Sequence, residues 1–191
     1  PQQLYVDKPL LKQYQQLLLR DDQTIRNVKN EDPADLARKA SVSASGAVNG
    51  SEASHVINGW VRDMPEQWAN RWGGPMTGDG AWIELAWDAP QTLSEIQLCF
   101  DSGFHRELTL SEQKKRQETM VAGPQPEVVK DYIITCERAD GSVRKLAEVS
   151  GNYLRLRRHR FEPVEAAKIR IHATATNGAE EARIYEVRCY V

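Results

Sequence analysis

The sequence is poor in cysteine, in long apolar runs and in any excess of one charge. Three cysteines in 191 residues allow at most one disulfide and are too scattered for a zinc ribbon or a disulfide framework. No apolar run approaches the roughly 20 residues that a membrane-spanning helix needs. Twenty-five basic and 27 acidic side chains give a net charge of −2, which argues against a dedicated binder of nucleic acid or anionic membranes. The length suits one domain with its own core.

The signatures of common catalytic sites are also missing. There is no Gly-x-Gly-x-x-Gly and no Gly-x-Ser-x-Gly, and the glycines of Gly73–Gly78 lack the Lys-Ser/Thr that completes a phosphate loop. The four histidines share no metal-ligand spacing. We therefore expect no self-contained active site, although the many acidic residues leave a hydrolase acting through a carboxylate pair as an alternative.

The first 39 residues are predicted to form a helical connector. The chain starts at Pro1 without Met, which we interpret as a piece of a longer protein. Apolar residues at helical spacing predict an amphipathic helix from about Lys8 to Arg20; they are Leu10, Leu11, Tyr14, Leu17 and Leu18. Further along, Asp32–Asp35 predicts a short helical turn through Leu36–Arg38, with Asp32 as its N-cap.

From residue 40 to residue 191 the pattern is that of short strands. Apolar and polar residues alternate, and Gly, Pro, Asn and Asp separate the runs. Without helical crossovers, these strands predict an antiparallel sandwich or barrel. The eight predicted strands are Ser41–Ser45, Trp82–Trp87, Ile96–Phe100, Tyr132–Cys136, Val143–Val149, Tyr153–Arg160, Ile169–Ala173 and Tyr185–Val191. The stretches between them at His55–Gly80 and Asp101–Glu127 are predicted as long loops.

An ordered set of signals resembles the discoidin-like family, also called coagulation-factor type C or galactose-binding-like domains. The signals are Ala40–Ser45, Val56–Gly59, Asn70–Trp72, Trp82–Leu85, Lys168–Ile171 and Arg183–Tyr190. The resemblance implies an all-β jelly-roll β-sandwich of about eight antiparallel strands, here preceded by the amphipathic helix. It also implies sugar binding by loops at one end of the sandwich.

The same resemblance implies a structural calcium ion. The positions that match the family's oxygen ligands are Ile57, Asn58, Asp63, Asn70 and Glu186. Two of them depart from the family pattern, because Asn58-Gly59 stands where Asp-Gly is usual and Asn70 stands where Thr is usual. Calcium prefers six to eight oxygens with net negative charge, so both changes weaken the set.

A narrower likeness extends over nearly the whole chain. It resembles the C-terminal module of bacterial FAD-dependent oxidoreductase-like proteins, in the segments Asp22–Ile25, Asp32–Ala37, Phe100–Asp101, Gly151–Tyr153, His159–Phe161 and Ala175–Gly178. This likeness implies a periplasmic or secreted bacterial protein, with residues 1–39 leading from a missing catalytic domain. It also implies that no FAD site lies in this piece.

The five tryptophans are candidates either for the core or for stacking on a sugar ring. Trp72 and Trp82 match structural tryptophans of the discoidin-like family and are interpreted as core residues, and Trp87 as core or edge. Trp60 and Trp68 lie in or beside a predicted loop, where packing and ligand binding are both open.

Two further groups are candidate ligand-binding residues. Phe104, His105 and Arg106 follow a strand and combine an aromatic ring with polar groups; the alternative is an ordinary polar loop. Tyr153, Arg155 and Arg157 alternate along one strand and could bind an anionic sugar, since arginine pairs with carboxylates; the alternative is an ion-paired sheet face. Cys99, Cys136 and Cys189 have apolar neighbours and are interpreted as buried small hydrophobic residues.

Two functions follow as hypotheses. The first is a non-catalytic carbohydrate-binding or substrate-targeting module of a larger exported bacterial enzyme, with a polysaccharide or glycan as its partner. The second is a structural domain that packs against an FAD-dependent catalytic domain and has no ligand of its own. Neither hypothesis includes a nucleic-acid or membrane partner.

Overall fold

The computed structural model describes residues 29–63, 70–103 and 112–191, and seven strands lie within these ranges. The strands are β1 (Ser41–Ala44), β2 (Trp72–Pro75), β3 (Ala81–Phe100), β4 (Val129–Glu137), β5 (Val143–Val149), β6 (Leu156–Thr176) and β7 (Glu181–Tyr190). Two 3₁₀ helices, Leu36–Lys39 and Ala53–Ile57, and one short α-helix, α1 (Lys114–Thr119), complete the elements.

All strand pairs are antiparallel, and two long strands divide their length between two layers. Residues 83–86 of β3 pair with β1, and residues 81–86 pair with residues 168–173 of β6. β6 also pairs with β4, and β4 pairs with β5. Residues 95–100 of β3 pair with β7 and with residues 156–160 of β6, and β2 extends this layer beyond β7. The result is a β-sandwich.

The core lies between these layers because alternate strand residues point inward. Ile83 and Leu85 from β3 are fully buried, as are Ile169 and Ile171 opposite them on β6. Phe100 of one layer packs against Tyr132 of the other, with ring centroids 5.3 Å apart. The three cysteines are buried and free, which confirms their interpretation as small core residues: Cys99, Cys136 and Cys189.

The prediction of eight antiparallel strands gives the correct class of fold but not the correct number and bounds of the strands. Val143–Val149 is a strand with the predicted bounds. Trp82–Trp87 and Ile96–Phe100 are one strand, because a register shift between Ala86 and Gln91 carries the chain past Pro90 without ending it. The predicted strands at Tyr153–Arg160 and Ile169–Ala173 are likewise joined in β6, which begins at Leu156.

One strand was not predicted, and one predicted helix cannot be compared. β2 lies inside the predicted loop His55–Gly80, where its sequence Trp-Gly-Gly-Pro lacks the apolar alternation of a strand. The amphipathic helix Lys8–Arg20 falls outside the described residues. Within the part of the chain that the structure describes, no helix has both the length and the apolar character to cross a bilayer.

Residues 29–39, the end of the predicted connector, pack onto the sandwich through a buried carboxylate. Asp35 is 2% exposed, and its Oδ1 accepts hydrogen bonds from the backbone N–H groups of Ala37 (3.0 Å) and Cys189 (2.9 Å). Its Oδ2 accepts from the side-chain amide of Asn30 at 2.7 Å. Asp35 is therefore the N-cap of Leu36–Lys39, and the prediction of Asp32 for that role is wrong because the helix begins one residue after Asp35.

A histidine links the two layers and gives the fold a pH dependence. His159 Nε2 lies 3.0 Å from the Tyr132 hydroxyl, and burial together with nearby Arg157 lowers the pKa of His159 from 6.5 to about 4. A folded-state pKa below the unfolded value means that the neutral form is favoured in the fold. The stabilisation is thus complete above pH 6.5 and is lost as the pH falls toward 4.

We expect His159→Gln to reduce the loss of stability on acidification. Glutamine can still hydrogen-bond to the Tyr132 hydroxyl but does not titrate. Urea unfolding at pH 7 and pH 4 should give a smaller drop in the variant, by about 1–3 kcal/mol. An identical drop in both proteins would contradict the role assigned to His159.

Candidate functional site

Several loops and strand ends meet at one end of the sandwich. β3 ends there at Phe100, β6 begins at Leu156, and the backbone N–H of Phe100 donates to Arg155 O at 2.8 Å. β7 begins at the same end, where the N–H of Asp101 donates to Arg183 O at 3.3 Å. We call this the loop end.

An open groove of about 640 Å³ lies at the loop end. This volume is within the range of roughly 300–1,000 Å³ that is typical of small-ligand pockets. Its wall combines small apolar side chains with carboxylates and one guanidinium; the lining residues are Val48, Pro75, Pro126, Glu127, Gly178, Ala179, Glu180, Glu181 and Arg183.

Among the described residues, Tyr153 is an exposed aromatic residue at the loop end. Its side chain is 65% exposed, and the neighbouring Leu154 and Leu156 are also exposed. The tyrosine follows Asn152, which is buried and fixes the turn. Asn152 Nδ2 donates to Val129 O (2.8 Å) and Leu154 O (3.2 Å), and its Oδ1 accepts from Leu154 N (3.1 Å). An exposed ring on a fixed turn can stack on a ligand at little entropic cost.

The two arginines predicted to bind a ligand together with Tyr153 donate hydrogen bonds within the chain. Arg155 donates to the Val61 carbonyl and, at 3.2 Å, to Ser102 Oγ. Arg157 donates to Asn152 Oδ1 at 3.2 Å. Both are half-buried and point to the same side of β6 as His159, whereas Leu156, Arg158 and Arg160 are exposed. The structure thus brings Tyr153, Arg155 and Arg157 together, with Tyr153 alone exposed.

Of an ion-paired cluster beneath the loop end, only Asp63 was selected from the sequence, as a calcium ligand. Arg71 contacts Asp63 Oδ2 (3.1 Å) and Asp101 Oδ2 (3.4 Å), and Arg183 contacts the same Asp101 oxygen at 3.3 Å. Asp101 is only 2% exposed. Burial, together with the carboxylates of Asp101 and Asp63, raises the pKa of Tyr185. The members come from different segments of the chain, and no short motif could have identified them.

The remaining predicted ligand-binding residues are only partly described. Trp60 is half-buried, its backbone pairs with Lys29, and the Lys29 ammonium lies 5.8 Å from the ring centroid. Trp68, Phe104, His105 and Arg106 fall outside the described residues. The described chain continues to Gly103, next to Ser102 and therefore close to Arg155.

The other tryptophans divide between core and surface. Trp72 is fully buried and donates to Gly46 O at 2.9 Å, and Trp87 is also buried and donates to Leu36 O at 2.9 Å. The core interpretation of Trp82 is wrong. Period-two alternation places Trp82 on the outer face with Glu84, where the Arg170 guanidinium stacks on its ring at 4.3 Å.

Several side-chain oxygens of the five residues predicted to bind calcium already have partners within the chain. Asn58 Oδ1 accepts from Trp60 N at 2.7 Å, and Asp63 Oδ1 accepts from Asn70 N at 2.9 Å. The other Asp63 oxygen faces Arg71. Ile57, the last residue of its 3₁₀ helix, can offer only its backbone carbonyl. As arranged, this donor set does not fit a calcium ion.

Glu186 belongs to a different group of contacts. It is 2% exposed, and its Oε2 accepts from the guanidinium of Arg188 at 2.6 Å. Burial raises the pKa of Glu186, while Arg188 and Asn30 act in the opposite direction. Its Oε1 is buried without a hydrogen-bond partner in the described structure. No group of three or more His, Cys, Asp or Glu side chains within those residues could hold a metal ion.

Comparison with known proteins defines the class of fold. A family profile described as a domain of unknown function, DUF7402, matches residues 35–106. No curated protein sequence matches the chain. Chitosan-binding module 1 of a chitosanase/glucanase from Paenibacillus sp. IK-5 is similar in structure, with a TM-score of 0.59 and 17% identity over 82% of this chain and 98% of that one.

Two family 32 carbohydrate-binding modules are similar to the same degree. The module of Streptococcus pneumoniae EndoD has a TM-score of 0.59 and 17% identity, covering 82% of this chain and 98% of its own. That of Clostridium perfringens NanJ, solved with galactose, has a TM-score of 0.57 and 17% identity, covering 81% and 96%. This similarity establishes the fold of the chain as a discoidin-like, galactose-binding-like β-sandwich.

Proposed function

We propose that this domain is a non-catalytic carbohydrate-binding module whose ligand binds at the loop end. The observation that carries the proposal is the exposed ring of Tyr153, held by buried Asn152 at the same end as a groove of about 640 Å³. Sugar rings present C–H faces that stack on aromatic side chains, and their hydroxyls require polar partners nearby. The loop end offers both.

The ligand class is a polysaccharide or glycan. Modules of the same fold were solved with chitotriose and with galactose. Binding needs only stacking, hydrogen bonding and exclusion of water, so it requires no nucleophile or proton donor. The proposal extends to a substrate-targeting role in a larger exported bacterial enzyme, periplasmic or secreted, in which residues 1–39 connect this domain to an FAD-dependent oxidoreductase-like catalytic domain.

The test is a glycan array followed by calorimetric titration of any glycan that binds. Tyr153→Ala should weaken binding at least about ten-fold, which corresponds to about 1.4 kcal/mol, because the stacking surface is lost. Tyr153→Phe keeps the ring and should retain binding. Val143→Ala is a matched control, because Val143 has the same exposed fraction of 65%. Equal affinity in Tyr153→Ala and wild type would contradict the proposed site.

A second candidate is a structural domain without a ligand of its own. The observation in its favour is the tight packing of the connector, whose Asn30 N–H donates to Gly59 O at 2.7 Å and whose Asp35 binds Cys189 N. Such a connector would hold a preceding domain in a fixed orientation. A screen in which no polysaccharide binds, combined with loss of activity of the longer protein on Asp35→Ala, would favour this candidate.

A further inference from the structure

The resemblance to discoidin-like domains implies a calcium ion that fixes the loops, yet the matching positions have cationic side chains beside them. We propose that the guanidinium groups of Arg71 and Arg188 replace that ion, so that this domain folds and stays folded without calcium. The proposal goes beyond glycan binding, because it concerns what holds the loops.

Arg71 makes contacts of the kind that a bound cation would make. It precedes Trp72 and contacts carboxylates from two separate loops, Asp63 at 3.1 Å and Asp101 at 3.4 Å. Its guanidinium carbon also lies 5.9 Å from the ring centroid of Tyr185 on β7. One positive charge thereby joins two loops and a strand. A divalent cation beside the same carboxylates would be repelled by this guanidinium.

Arg188 supplies a positive charge at Glu186, on the same strand β7. Its Nε and Nη2 atoms both lie 2.6 Å from Glu186 Oε2, which makes a charge-assisted contact in a buried position. Glu186 Oε1 is the one buried side-chain oxygen without a hydrogen-bond partner among the described residues, whereas calcium takes six to eight oxygens.

The Asn58-Gly59 turn is covered by the connector. Gly59 has φ of +87°, and a Cβ atom there would lie 2.7 Å from the backbone oxygen of Asn30. The Asn30 N–H donates to Gly59 O, so this carbonyl already has a partner. Asn58 Oδ1 is occupied by Trp60 N. The turn that carries the family's Asp is thus held by hydrogen bonds within this chain.

Thermal unfolding of the full chain in calcium chloride and in EGTA tests the proposal. We expect wild-type Tm values that agree within about 1 °C, and no calcium binding by titration calorimetry with Kd below about 1 mM. A rise in Tm of several degrees in calcium, or calorimetric binding in the micromolar range, would overturn it. Both measurements use the wild-type protein and do not depend on a variant that folds.

Arginine variants test whether these side chains supply the cation. Arg71→Met and Arg188→Met keep an unbranched apolar stem in place of the aliphatic part of arginine and remove its charge, so each should lower Tm by about 5–10 °C, equally in calcium and in EGTA. The matched control is Arg158→Met, because Arg158 is exposed on β6 and lies outside both groups. Tm values as high as that of the control, or a loss that calcium restores, would refute the replacement.

Discussion

Replacing Asp35 with alanine is expected to lower the free energy of unfolding by about 3–5 kcal/mol. The carboxylate is buried and accepts hydrogen bonds from Ala37 N, Cys189 N and Asn30 Nδ2. Alanine leaves these three donors without an acceptor in a region that water does not reach. The loss therefore exceeds that of an ordinary helix cap, about 1 kcal/mol, because the same side chain joins the connector to β7.

Urea unfolding of Asp35→Ala and Asp32→Ala distinguishes the stability that comes from a buried carboxylate from the stability that comes from an exposed one. Asp32 Oδ1 also accepts a backbone hydrogen bond, from Ala34 N at 3.0 Å, but its side chain is exposed. Asp32→Ala should thus cost less than about 1 kcal/mol. Similar losses for the two variants would mean that the contact of Asp35 with β7 adds nothing to stability.

The class of fold could be predicted from the sequence because it depends on short-range alternation. Val143–Val149 alternates clearly and is a strand with the predicted bounds. The continuity of β3 and β6 could not be predicted, because whether Pro90 ends a strand or lies at a register shift depends on the partner strand. β2 was missed because its pairing with β7 overrides the poor strand propensity of Gly73 and Gly74.

The sequence could predict only those parts of the candidate site that depend on a single residue, and not the contacts between residues. Tyr153 was selected from the sequence and is exposed, whereas the arginines that alternate with it point inward and bind Ser102 and Asn152. Period-two alternation identifies residues that share a face but does not say which face is buried. Arg71 and Asp101 are 30 positions apart in the sequence, so their contact follows from the fold alone.

The second large effect is expected at Asn152, which connects stability with ligand binding. Its side chain donates to Val129 O and Leu154 O and accepts from Leu154 N and Arg157, and its backbone carbonyl accepts from Asn177 Nδ2 at 3.0 Å. Asn152→Ala should lower the free energy of unfolding by about 2–4 kcal/mol, because buried groups lose their partners. It should also weaken glycan binding at least about ten-fold, because the turn no longer fixes Tyr153.

Two variants distinguish these effects. Gln91→Ala removes an exposed amide that donates to Ala89 O at 2.7 Å, and should change stability by less than about 0.5 kcal/mol. Tyr153→Ala should weaken glycan binding with little change in urea unfolding, since its ring is exposed. If Asn152→Ala unfolds at a lower urea concentration than wild type but binds glycan with wild-type affinity, the turn does not orient Tyr153. If it unfolds like Gln91→Ala, the buried hydrogen bonds of Asn152 do not hold the loop end.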